Sequence, residues 1–74
     1  MKIYVSNKNK FLEIMKTNGY SQSSLAIKIG ITRQYITKII NGCSIGPETS
    51  KKIHLVLGVN FNDIFFIKPL TKVI

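Results

Sequence analysis

Acidic side chains are scarce in this chain: three Asp and Glu stand against eleven Lys and Arg, a net charge of +8 on 74 residues. A field that positive on so small a body favours a polyanion as partner. Cys43 is the only cysteine, which excludes an internal disulfide. Cys43 and His54 are the only good transition-metal ligands, and two residues do not fill a tetrahedral zinc site. One His, one Cys and three scattered acids supply no nucleophile–base pair, so no enzyme, no catalytic residue and no cofactor is expected. Trp is absent, and no apolar run approaches the roughly 20 residues that span a bilayer. The N-terminus lacks the apolar core and small-residue cleavage site of a signal peptide. These absences predict a cytoplasmic protein, bacterial and nucleoid-associated, without a membrane or small-molecule ligand. No repeat, low-complexity run or linker interrupts residues 1–74, so one domain is expected, near the lower size limit for an unstapled core.

What the chain does hold is the segment SQSSLAIKIGITRQYITKIING, residues 21–42. Leu25, Ala26 and Ile29 share one face of a first short helical pattern, and Ile36, Ile39 and Ile40 share one face of a second. Gly30 between them can take the left-handed backbone that ends a helix, and Thr32 can cap the next. Ile31 is apolar where a mere linker would be polar, so the turn itself is expected to pack. Ala26 is small enough for the two helices to approach closely. Two short helices, a brief turn and a small residue at the crossing describe a helix-turn-helix.

The segment resembles the DNA-binding helix-turn-helix of the lambda-repressor-like family, which includes the Cro/C1-type and 434-type phage repressors (XRE-type regulators). The residues that carry the likeness are Gln22, Leu25, Ala26, Ile29, Gly30, Ile31, Ile36, Ile39, Asn41 and Gly42. It continues through GPETSKKIHLVLGVNFNDIF, similar to that family's fourth and fifth helices, and covers roughly residues 7–66. The resemblance implies an all-α fold, a compact five-helix DNA-binding domain, with room for short β-strands in the terminal extensions 1–6 and 67–74. One departure stands out. Related repressors often carry a buried Arg–Glu pair joining the first helix to the end of the third, and by alignment Met15 and Ile40 take those places here. An apolar pair replaces a buried ion pair without loss of stability, so Met15 is expected to meet Ile40.

Along the chain, Met1 to Val5 alternates as a short strand does. A first helix is predicted over about residues 8–18, stopped by Gly19, with Phe11, Leu12, Ile14 and Met15 inward. Ser21 caps a second over 22–29. A third follows over 33–41 and stops at Gly42. Pro47 suits the first position of a fourth, which runs to about Leu57 and stops at Gly58. Asn60 caps a short fifth over about 61–65. The tail IKPLTKVI holds a proline and a β-prone run, which could pair with residues 2–5 or reach another subunit.

Opposite the apolar face of the third helix lie Arg33, Gln34, Thr37 and Lys38, all with hydrogen-bonding reach and none acidic. Such a face suits the major groove of double-stranded DNA: Arg33 can fork onto a guanine, Gln34 onto an adenine, Thr37 can meet an edge or a thymine methyl, and Lys38 a guanine or phosphate. The family's specificity residues fall at these places early in the helix. A second group is assigned to the phosphate backbone. Ser21, Gln22 and Ser23 surround the free amides that open the second helix. Thr32 and Tyr35 flank the turn, although Tyr35 could equally pack beside Ile31. Asn41 and Ser44 follow the third helix, and Lys51 and Lys52 lie near the start of the fourth. Such contacts fix register without reading sequence. In the family, Gln22 corresponds to a residue that touches phosphate and braces the third helix.

The function expected is a sequence-specific transcriptional regulator, a repressor of phage or mobile-element type reading an operator through the major groove. A single helix-turn-helix reads few base pairs, and the family answers this by dimerising on a palindrome with half-sites about one helical turn apart. Phe66, Ile67, Leu70, Val73 and Ile74 are the candidate residues for a homodimer, because they are hard to bury in one small subunit, whereas Phe61, Ile64 and Phe65 are expected to close the core. The alternative is a protein-interaction module of the same fold that modulates a repressor, polymerase or recombinase. Such a binder would display acids or apolar groups on the third helix, and this one displays neither.

Overall fold

The computed structural model describes residues 2–69. The elements run β1 (Lys2–Val5), α1 (Lys8–Thr17), α2 (Gln22–Ile29), α3 (Arg33–Ile40), α4 (Pro47–Leu57), α5 (Phe61–Ile64) and β2 (Phe65–Lys68). Helices dominate, and the two strands form one small antiparallel sheet.

Local side chains start and stop the helices. Asn7 Oδ1 accepts the Lys10 amide at 3.0 Å and opens α1. Ser21 Oγ accepts the Ser24 amide at 3.1 Å while Ser24 Oγ accepts the Ser21 amide at 2.8 Å, a reciprocal box that satisfies two donors at once. Thr32 Oγ1 accepts the Tyr35 amide at 3.1 Å and opens α3. Pro47 begins α4, where its missing N–H costs nothing. Gly30 and Gly58 end α2 and α4 at φ +91° and +71°, the left-handed region that glycine enters without a Cβ clash.

The core gathers Phe11 and Met15 of α1, Leu25, Ala26 and Ile29 of α2, and Ile36, Ile39 and Ile40 of α3. Ile45, Ile53, Leu57, Ile64 and Phe65 complete it, so every helix contributes. Met15 and Ile40 are both buried in this one cluster, apolar where the family's ion pair would stand. Ile31 in the turn packs against the same cluster, as do Leu12, Ile14 and Phe61, which are only partly buried. Ser50 is buried, and its hydroxyl donates to the Pro47 carbonyl at 2.8 Å, so no polar group is stranded there.

The C-terminal segment departs from the expectation. α5 ends at Ile64, one residue short of the predicted stop, and Phe65 already belongs to β2. The strand also begins two residues before the tail and stops at Lys68, ahead of Pro69. The reason is packing. An extended Phe65 pairs with Val5 and sets its ring edge-on to Phe11, with centroids 5.9 Å apart, and that buries the ring fully. α1 and α3 likewise end one residue early, with Asn18 and Asn41 as caps.

The sheet pairs Lys2 with Lys68, Ile3 with Ile67, Tyr4 with Phe66 and Val5 with Phe65. On its other side β1 meets the loop after α3, where the Ile45 amide donates to the Ile3 carbonyl at 2.9 Å. The sheet is thereby fastened to the end of the helix-turn-helix. Among the described residues no helix is long and apolar enough to cross a membrane.

Candidate nucleic-acid interface

α3 presents its apolar face (Ile36, Ile39, Ile40) to the core, and helical spacing carries Arg33, Gln34, Thr37 and Lys38 to the outside. These four side chains line one open concavity. Arg33, Gln34 and Lys38 are exposed, while Thr37 is half-buried because it bridges to α2. Its hydroxyl lies 2.8 Å from Gln22 Oε1 and 3.1 Å from the Arg33 carbonyl oxygen. Both neighbours only accept, so the single hydroxyl proton is spent inside the protein. What Thr37 can offer outward is a lone pair and its methyl group. Gln22 in turn keeps both amide N–H groups for a partner outside.

The residues expected to meet phosphate fall into three places. At the start of α2, Ser21 and Ser23 are exposed and Gln22 is half-buried. The Ser21 hydroxyl is engaged with Ser24, a partner that the sequence reading passed over although the spacing of the two serines is that of a capping box. At the start of α3, the Thr32 oxygen caps the helix and its proton remains free. Tyr35 is half-buried against the core, and its hydroxyl oxygen accepts the Gly46 amide at 3.2 Å. The ring thus packs inward, while the hydroxyl ties α3 to the loop before α4 and keeps a proton to donate.

Beyond α3, Asn41 is exposed and Ser44 half-buried in the loop to α4, and Lys51 and Lys52 are exposed on α4. Lys8 joins them unannounced by the sequence. Its Nζ donates to Asn41 Oδ1 at 3.2 Å, across 33 positions of chain, which leaves the Asn41 amide hydrogens free. No local pattern points to Lys8, because the contact exists only once α1 has packed beside the end of α3. Phe66 and Ile67 are 44% and 48% exposed. Leu70, Val73 and Ile74 lie outside the described residues. His54 serves the fold: its Nδ1 lies 3.0 Å from the Val59 carbonyl oxygen, and its ring stands edge-on to Phe61.

A capped helix, a glycine turn and a second helix with a polar, acid-free outer face are what reads a major groove. A family model, helix-turn-helix of the Cro/C1 type, matches residues 12–64, most of the chain. The chain belongs to that family. It is a DNA-binding helix-turn-helix domain of a regulator, and the family is one of DNA binders rather than enzymes. Comparisons with curated proteins and with solved structures return no match.

Proposed function

We propose that this chain is a sequence-specific repressor of phage or mobile-element type, one domain that binds an operator in double-stranded DNA as a homodimer. The observation that carries the reading is the concavity formed by Arg33, Gln34, Thr37 and Lys38 on the solvent side of α3. Two of them, Arg33 and Gln34, have the forked donors and acceptors that distinguish guanine and adenine edges. Thr37, its proton spent on the protein, accepts from an exposed amino group or rests its methyl against a thymine methyl. Lys38 takes a guanine or a phosphate. Ser21, Gln22, Ser23, Thr32, Tyr35, Asn41, Ser44, Lys51 and Lys52 hold the flanking phosphates and set the register. The exposed Ile67 of β2, on the face opposite Phe66, offers apolar surface to a second copy, which doubles the length of sequence read. Such a protein works in the compartment that holds the DNA, the bacterial cytoplasm.

Selection of bound duplexes from a random pool, followed by a salt titration on the winner, tests the reading. An enriched palindrome with half-sites about one helical turn apart is the expected result. Recovery of unbiased DNA, bound weakly and released at moderate salt, would overturn it and turn attention to a protein partner.

A further inference from the structure

Strand alternation and register put Lys2, Tyr4, Phe66 and Lys68 on one face of the small sheet. The opposite face carries Ile3, Val5 and Phe65 into the core. The Tyr4 and Phe66 rings lie 5.8 Å apart at 31°, so the aromatic pair forms the middle of the outer face and a lysine pair forms its end. Like charges directly opposite across a ladder destabilise a sheet, and neither strand holds an acid to offset them. Tyr4, Phe66 and Lys68 also line one concavity with Gly42, in the turn that follows α3. The neighbouring Asn41 is the residue to which Lys8 is bonded. Lys8 and Lys68, from opposite ends of the chain, thus both reach the exit of α3, and Lys2 stands opposite Lys68 in the ladder.

We infer that this basic shelf (Lys2, Lys8 and Lys68, with Tyr4 on the same sheet face as Lys2 and Lys68) is a second phosphate grip. It takes the DNA backbone beyond the segment that α3 reads. The inference rests on the reading of the chain as a duplex-DNA binder and adds to it contacts that lie outside the helix-turn-helix. Lys8 also positions: by holding Asn41 Oδ1 it leaves the Asn41 amide to donate to the same backbone. Phe66 packs against Tyr4 and keeps its ring on the shelf. A phosphate between Lys2 and Lys68 removes the repulsion that the free sheet carries. A lysine on an edge strand also deters sheet-to-sheet pairing, but that task calls for neither a lysine partner opposite nor a place beside Gly42.

The test is the affinity of the full chain for a mixed-sequence duplex as a function of salt. Each phosphate contact contributes about 0.9 to the slope of log K against log salt, so K2Q/K68Q should flatten the slope by about 2, and adding K8Q by about 1 more. The loss should be the same on selected and unselected DNA. K16Q/K28Q removes equal charge from exposed positions on α1 and α2 and should leave the slope nearly unchanged. All five lysines are exposed, and circular dichroism checks that the variants fold. Equal slopes for the shelf variant and wild type overturn the shelf, as does equal flattening by K16Q/K28Q. If in that case Arg33→Ala still alters base preference, only the shelf falls. A wild type that binds no duplex overturns both the shelf and the function it rests on.

Discussion

At the residue scale, the division of labour on α3 follows from what each side chain has left to give. Arg33 is exposed, and its guanidinium is free to fork onto one base. Arg33→Ala should therefore relax preference at one position of the operator and cost about 1–3 kcal/mol, measured by binding to a panel of single-base variants. Lys51 on α4 is exposed as well, but a lysine there offers a point charge to the backbone. Lys51→Ala should weaken binding to every sequence alike and lower the salt slope by about 1. If the two variants behaved alike across the panel, the separation of reading from gripping would be wrong. Thr37 sits between these roles. Its proton goes to the protein, so a lone pair and its methyl are what it has left to offer a base, and Gln22 stiffens it in that posture.

At the element scale, each helix of the motif depends on its cap more than on its propensity, since α2 and α3 have only eight residues each, too few for a helix to hold alone. Ser21→Ala breaks the reciprocal box with Ser24 and should lower stability by about 1 kcal/mol in denaturant melts, with the far-ultraviolet spectrum otherwise kept. A change near zero would mean that packing of Leu25, Ala26 and Ile29 alone fixes the start of α2. The elements that carry such local signals were legible in the sequence. Ser21, Gly30, Thr32 and Pro47 each mark an end by their own chemistry, and the ends fell within a residue of expectation. The outward residues of α3 were legible for the same reason, because helical spacing alone puts Arg33, Gln34, Thr37 and Lys38 together. Features set by contacts between distant parts were not. Phe65 continues the helical pattern of its neighbours, yet burial against Phe11 draws it into a strand. Lys8 and Asn41 meet only through the packing of α1 on the rest, and Tyr35 finds Gly46 only once the loop has closed.

At the scale of the whole molecule, one domain of this size offers a short recognition helix and a strong positive field. The field attracts any duplex, and the helix discriminates among only a few base pairs, so a monomer binds widely and selects poorly. The proposed second copy would resolve this by making the two readings additive on one DNA. The exposed Ile67 of β2 is the place to test it, since it stays half-exposed on the sheet face opposite the Tyr4–Phe66 pair. Ile67→Glu should leave the folded monomer and its hold on a single half-site nearly intact, because about half of the side chain already faces solvent. It should remove the cooperative step on a two-half-site duplex and shift the mass in sedimentation equilibrium from dimer toward monomer. A variant that still fills both half-sites cooperatively would show that the copies meet elsewhere, and dimerisation through β2 would have to be given up. If single-half-site binding collapsed as well, Ile67 would belong to the core rather than to an interface.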